Sequence, residues 1–93
     1  MISQEEFIAL CGLEPREIAA IAEHEHLPEI QAAALARCLL RDPDGAKVIR
    51  QIIADDITKA IECNQFTHAN ELFHTLREFI DRHPEAADDL ILD

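Results

Sequence analysis

The fold is decided by the stretch IQAAALARCLL, residues 30–40, in which only Gln31 and Arg37 are strongly polar. The β-branched residues of the chain are mostly Ile, and they recur at helical rather than alternating spacing. A helix that is apolar nearly all round is usually buried on most of its sides. We therefore expect residues 30–40 to form a helix at the centre of the fold or of a dimer interface.

Two helices are predicted before this stretch. The capping-box pattern SQEE, residues 3–6, predicts a first short helix over about 4–11 that ends at Gly12. A second helix starts near Pro15, which suits a first helical turn. Its apolar side consists of Ile18, Ile21 and Ala22. Pro28 interrupts the pattern, and it either kinks this helix or separates two helices.

Two further helices are predicted after the central stretch. Asp42 is expected to cap the first of them, with Pro43 at its first helical position. Its apolar side consists of Val48, Ile49, Ile52, Ile53, Ile57, Ala60 and Ile61. Thr67 or Asn64 is expected to cap the last helix, which ends at His83-Pro84. Its apolar side consists of Leu72, Phe73, Leu76, Phe79 and Ile80.

These segments predict an all-α fold, a compact array of four or five helices that homodimerisation can complete. The 93 residues form one domain, and a core of this size gains stability from oligomerisation or from a bound partner. We place a single helical domain at residues 1–84 and an acidic tail at residues 85–93. The tail contains Leu90-Ile91-Leu92, and we expect these apolar residues to dock on the body or on a partner.

The chain is strongly acidic, with 19 acidic and 8 basic side chains and a formal net charge of −11. This charge repels phosphate backbones and anionic lipid, so neither nucleic acid nor a membrane is an expected partner. It keeps the chain soluble and favours basic protein surfaces or divalent metal ions. No apolar run approaches the length of a membrane span, and the N-terminus lacks a signal-peptide pattern.

Three cysteines, Cys11, Cys38 and Cys63, lie far apart in the sequence and form no C-x-x-C pair. Each has apolar neighbours, so we expect small buried thiols in a reducing, cytoplasmic compartment. None has the basic surroundings that activate a nucleophilic cysteine, which argues against cysteine–histidine catalysis.

A helix-turn-helix is the first functional motif to consider, because residues 1–29 have roughly the spacing of its core and turn. This segment contains seven Glu and one Arg. A DNA-reading surface neutralises phosphates with basic side chains, so the composition argues against DNA binding. Two helices joined by a glycine turn explain the same spacing.

A metal site is the second motif to consider, because the Glu-x-x-His spacing occurs in residues 23–26, EHEH, and in residues 71–74, ELFH. Di-iron carboxylate bundles use this spacing to place two ligands on one helical face. With about 100° per residue, Glu71 and His74 point away from the apolar stripe of their helix, while His68 lies on its border. We therefore expect Glu71 and His74 to be solvated unless they face a second subunit.

Carboxylates on apolar stripes are more specific candidates for metal ligands. Burying an unpaired charge is costly, so such a carboxylate needs a partner such as a metal ion. Asp56 falls among the isoleucines of its helix, and Glu25 and Glu29 join an apolar side if the second helix continues through Pro28. The expected ligands of a hard divalent metal are Glu25, Glu29 and Asp56, with His26 or His68 nearby. If Pro28 starts a new helix, Glu29 complements the helix dipole and Glu25 is solvated. Asp56, whatever Pro28 does, can instead pair with Lys59 or with an arginine across the fold.

Three functions are compatible with these patterns. The leading hypothesis is a non-enzymatic protein-interaction or regulatory module without a cofactor, which forms a homodimer or offers an acidic face to a basic partner. The alternative is a carboxylate–histidine metal protein, either a di-iron-like oxidase or a metal carrier. The third is an enzyme with an unrecognised pocket, since the chain has no glycine-rich phosphate loop, no G-x-S-x-G and no zinc-type spacing.

Overall fold

The computed structural model of the chain describes Glu6 and residues 13–90, with side chains up to residue 87. Over these residues the chain forms four α-helices and no strand. They are α1 (Pro15–Glu25), α2 (Glu29–Leu40), α3 (Gly45–Glu62) and α4 (Phe66–Arg82), and a 3-10 helix (Pro84–Leu90) follows. The predicted all-α class, a compact array of four to five helices, is confirmed. The predicted first helix and Gly12 lie outside the described residues except for Glu6, which is helical.

The core lies where α3 packs along α4 and where α1 crosses α2 and α3. Outside α3, the largest fully buried apolar side chains of the core are Ile18 and Ile21 of α1 and Phe79 of α4. The other buried apolar residues include Ala32, Ala33, Ala36, Ile49, Ile52, Ile53, Ala60, Ala69, Leu72 and Ala86. The three-four spacing seen in the sequence of α1, α3 and α4 marks most of the sides that are removed from water. The prediction is wrong for Val48 and Ile61 of α3, which are both exposed.

Helix α2 is buried along one side only. Ala32, Ala33 and Ala36 are fully buried, whereas Ile30 and Cys38 are exposed. The prediction that residues 30–40 occupy the centre of the fold is therefore wrong for this chain on its own, and a place in a dimer interface stays a prediction. The buried side of α2 consists of alanines, which are small enough to allow a close approach of neighbouring helices.

Pro28 separates two helices rather than kinking one. Helix α1 ends at Glu25, and His26 follows in the left-handed conformation with φ 58°. The backbone N–H groups of His26 and Leu27 both donate to the carbonyl oxygen of Ala22, which closes the helix end. Helix α2 starts afresh at Glu29.

Helix α3 begins two residues later than predicted. The Asp42 side chain accepts a hydrogen bond from the backbone N–H of Asp44 at 2.9 Å, and the Asp42 carbonyl accepts one from Gly45. These two bonds close a turn around Pro43, so Asp42 does not cap the helix and Asp44 occupies the N-cap position instead.

The turn between α3 and α4 also differs from the prediction. Gln65 is the N-cap residue of α4, and neither Asn64 nor Thr67 caps it. Asn64 instead adopts the left-handed conformation with φ 61°, which Asn tolerates better than most residues. The predicted end of the last helix at His83-Pro84 is confirmed, since His83 is the C-cap residue.

The 3-10 helix packs against α3 and α4. Ala86 is fully buried, and its carbonyl oxygen accepts a hydrogen bond from Arg50 Nη1 at 3.0 Å. The side chain of Leu90 and residues 91–93 lie outside what the structure describes, so the docking expected of Leu90-Ile91-Leu92 stays a prediction. None of the described helices is long and apolar enough to cross a membrane.

The cysteines differ from their predicted environment. Cys38 and Cys63 are both exposed free thiols, so the prediction of buried thiols is wrong for these two. Cys38 lies on the outward side of α2, and Cys63 follows the last residue of α3. Cys11 lies outside the described residues.

Candidate functional site

An open groove of about 250 Å³ lies between α1 and α4. Helix α1 lines it with Arg16, Ala19, Ala20 and Glu23, and α4 lines it with His68, Glu71, Leu72 and Thr75. Both sets follow the i, i+3, i+4, i+7 spacing that places side chains on one face of a helix. The groove remains open because α1 contributes two alanines where larger side chains would fill the space.

His68 lies between two carboxylates in this groove. Its Nε2 is 3.0 Å from Oε1 of Glu23 on the opposite helix, and its Nδ1 is 3.7 Å from Oε1 of Glu71 on its own helix. The hydrogen bond to Glu23 is the main cause that raises the pKa of His68, and Glu71 adds to it, while burial acts in the opposite direction. The two carboxylates therefore favour the protonated imidazole.

Asp56 of α3 is a buried carboxylate close to these charges. Its residue is only 4 % exposed, and its Oδ2 has no hydrogen-bond partner among the described residues. Burial is the main cause that raises its pKa to about 6, and Glu23 raises it further, whereas His24, His68 and Lys59 lower it. The predicted position of Asp56 on an apolar stripe is confirmed.

The structure does not assemble the five metal ligands expected from the sequence. Glu25 and His26 are exposed at the end of α1, and Glu25 is hydrogen-bonded to Nδ1 of His24 at 3.1 Å. Glu29 is exposed at the first position of α2, where an acid complements the helix dipole. Among the described residues no three His, Cys, Asp or Glu side chains converge as a metal set. Metal binding itself stays a prediction.

Asp56 and His68 are the two expected ligands that the fold brings within electrostatic reach of each other. The expected set omitted Glu23 and Glu71, although both belong to the Glu-x-x-His segments. The contact of Glu23 with His68 joins residues 45 apart in sequence, so no local spacing indicates it. The phase prediction for Glu71 and His74 is confirmed, because both are exposed.

A second charged pair joins α1 to the end of α4. Glu17 is buried with 1 % of its side chain exposed, and it forms an ion pair with Arg82. The sequence analysis missed Glu17, although its third position in α1 was a usable signal. There its Oε1 accepts the backbone N–H of Glu14 at 2.8 Å, as in a capping box. Since Glu17 is engaged on both oxygens, the pair serves the fold.

Two phenylalanines of α4 are exposed to solvent. Phe66 is 61 % exposed and Phe73 is 48 % exposed, and their spacing of two turns places them on one side of the helix. We call this pair the aromatic face. The prediction that Phe73 belongs to the buried stripe is wrong, because it lies at the edge of that stripe where no other described helix covers it. The aromatic face and the groove lie on opposite borders of the buried side of α4.

The groove has few groups for covalent chemistry. Thr75 is the one hydroxyl side chain among its lining residues, and it donates to the backbone carbonyl of Glu71 at 3.0 Å. The remaining polar groups are suited to holding charge or moving a proton. Comparisons of the chain with protein-family models, with curated proteins and with solved structures found no match.

Proposed function

We propose that this chain is a non-enzymatic interaction module that binds a basic, amphipathic segment of another protein on its aromatic face. The observation that carries the proposal is the exposure of Phe66 and Phe73 on one side of α4. Aromatic side chains are enriched in protein interfaces and dominate their energetics. Phe66 and Phe73 lie two turns apart on α4, so a segment that runs along this helix can contact both.

The charge of the chain supports a basic partner over a second copy of itself. A net charge of −11 on 93 residues makes two copies repel each other as they approach. The same charge speeds encounter with a basic partner and excludes acidic ones. Exposed acidic residues on other sides of α4, among them Glu71 and Glu78, contribute to this negative charge.

Site-specific photo-crosslinking in the native cells tests this proposal. The crosslinking amino acid p-benzoylphenylalanine replaces Phe73, and the adducts are identified by mass spectrometry. A matched control places the same group at Val48 of α3, an exposed apolar position. A further variant combines the crosslinker at position 73 with Phe66→Ala, which removes the second anchor.

The proposal predicts one dominant adduct with a basic protein from position 73 and a much weaker one from position 48. The Phe66→Ala change should lower the yield, and added salt should lower it too, because screening weakens the charge attraction. An adduct between two copies of this chain would contradict the basic partner. Equal adducts from positions 73 and 48, or none from either, would contradict the aromatic face as a docking surface.

A further inference from the structure

We propose that the groove between α1 and α4 binds an organic cation, an alkylammonium or alkylguanidinium group held by the carboxylates of Glu23 and Glu71. This inference goes beyond the proposed function, because neither phenylalanine of the aromatic face lines the groove.

The groove has the layout of a site for a charged head on an alkyl stem. Ala20 and Leu72 are buried and give it an apolar floor, while Glu23 and Glu71 are exposed at its edge. The methylene groups of the ligand would be removed from water by packing against this apolar floor, which is favourable. The ammonium or guanidinium group would pair with the carboxylates through charge-assisted hydrogen bonds. A volume of about 250 Å³ suits a ligand of this size and excludes a folded domain.

The charges around the groove select a cation over an anion. Glu23 and Glu71 line the groove from opposite helices, and Arg16 lies two turns before Glu23 at the other end. The buried Asp56 adds a third carboxylate, whose charge interacts with that of Glu23. A positive head near Glu23 and Glu71 is therefore attracted by these carboxylates when His68 is neutral, and Arg16 lies two turns away along α1.

Asp56 does not line the groove, but its charge interacts with those of Glu23 and His68, which do. It is buried, and its Oδ2 has no hydrogen-bond partner among the described residues. A buried carboxylate in this state is costly unless a positive charge compensates it. A cation held by Glu23 would lower the pKa of Asp56, as the charge of His68 does.

His68 lies between Glu23 and Glu71, the two carboxylates that the cation would contact. Its protonated ring is itself a cation, so proton and ligand compete for the same two carboxylates. The charged groups that act on it are Glu23 of α1, Glu71 of α4 and Asp56 of α3. Because deprotonation of His68 leaves these carboxylates uncompensated, binding should tighten as the pH rises from acid to slightly alkaline values.

Titration of the full ¹⁵N-labelled chain followed by NMR tests the inference. The probes are butylammonium and butylguanidinium as free cations, and Nα-acetyl-lysine methylamide as a side chain within a peptide. Nα-acetyl-norleucine methylamide is the neutral control with a similar stem. We expect amide shifts confined to residues 16–23 and 68–75 for the cations and none for the neutral control.

Charge-neutralising variants locate the site. Glu23→Gln and Glu71→Gln should each weaken binding about tenfold, as expected for loss of a charge-assisted hydrogen bond. Glu62→Gln makes the same charge change at an exposed position of α3 outside the groove and should leave affinity nearly unchanged. His68→Gln removes the titrating ring, so the affinity of this variant for the cations should depend less on pH than that of the unchanged chain. The spectra of every variant also report whether the chain is folded.

Several outcomes would overturn the inference. The neutral control could bind as tightly as the cations, or Glu62→Gln could weaken binding as much as Glu23→Gln and Glu71→Gln do. The amide shifts could also map outside the groove. If all three cations bind, the inference holds and the ligand is a free organic cation. If only the lysine probe binds, the inference holds and the ligand is a side chain of a partner protein. A Phe66→Ala/Phe73→Ala variant should titrate like the unchanged chain, so failure of the aromatic face and failure of the groove are distinguishable.

Discussion

Gly45 and Leu39 approach each other so closely that the start of α3 leaves no room for a side chain. A Cβ at Gly45 would lie 1.6 Å from the carbonyl oxygen of Leu39. That atom belongs to the backbone of α2, so it cannot move away as the end of a flexible side chain would. The sharp turn from α2 into α3 therefore depends on glycine at this position.

Gly45→Ala is expected to destabilise the fold by about 3 kcal/mol or more, because backbone must shift to relieve the overlap. In an ordinary helix the same change stabilises by about 0.5–1 kcal/mol. Urea unfolding followed by circular dichroism measures the difference. Thr58→Ala, at an exposed position of the same helix, serves as the control and should change stability by less than about 0.5 kcal/mol. A neutral or stabilising Gly45→Ala change would contradict the close approach.

Removing the cation that faces Glu17 should destabilise the chain. Arg82→Met leaves a buried carboxylate uncompensated, and since Arg82 keeps 36 % of its side chain exposed, we expect a loss of about 2–3 kcal/mol rather than the larger cost of a fully buried pair. Arg77→Met, at an exposed position of the same helix, is the matched control.

The double variant Glu17→Gln/Arg82→Met separates charge from packing. It should recover part of the loss, because no uncompensated charge remains and Gln still accepts the backbone N–H of Glu14. A double variant that is as unstable as the sum of its single variants would contradict a direct interaction between Glu17 and Arg82.

Asp56 should make stability depend on pH. Its pKa rises from 3.8 to about 6 in the folded chain, so its favourable contribution is full below about pH 4 and is lost as the pH rises through about 6. Asp56→Asn should remove a slope of about 2–3 kcal/mol across this range. Unfolding free energies measured from pH 4 to 8 test this, with the exposed Asp55→Asn as the control. Parallel curves for Asp56→Asn and the unchanged chain would contradict the raised pKa.

The packing of α2 can be tested with adjacent alanines. Ala33→Glu places a charge where the residue is fully buried, and we expect a loss of more than about 3 kcal/mol or an unfolded chain. Ala34→Glu makes the same change at the neighbouring exposed position, where we expect less than about 0.5 kcal/mol. Thermal unfolding of both variants provides the measurement. Similar losses at the two positions would show that α2 is not buried on one side only.

Cys38 and Cys63 should react in the folded chain. Both thiols are exposed, so iodoacetamide should alkylate them at rates within about tenfold of those measured in denaturant. Peptide mapping by mass spectrometry at short reaction times gives each rate separately. Protection of either thiol by about a hundredfold or more would contradict its exposure.

The elements of the fold follow from the sequence because the apolar spacing is regular. The buried side of α1 and most of that of α3 could be predicted in this way, although Val48 and Ile61 are exposed. The end of α4 at His83-Pro84 could be predicted from the proline. The helix starts were less so, because Asp42 has the side chain of a cap but uses it to close a turn. The one-sided burial of residues 30–40 could not be predicted either, since a nearly all-apolar stretch does not show how many neighbouring helices will pack against it.

The candidate site was only partly visible in the sequence. Asp56 could be identified because a carboxylate among isoleucines on one helix face is unusual. The pairing of Glu23 with His68 depends on how α1 and α4 lie against each other, which no helical periodicity encodes. Glu25 and Glu29 shared a face only if α1 continued past Pro28, and the left-handed turn at His26 ends that helix first.

The ion pair of Glu17 with Arg82 also has a consequence for synthesis. The two residues are 65 positions apart, so at about 5–20 residues per second a ribosome adds the second about 3–13 s after the first. Throughout that interval the carboxylate of Glu17 stays hydrated, and α1 has no α4 to pack against. The packing of α1 against α4 is therefore complete only after α4 has left the ribosome.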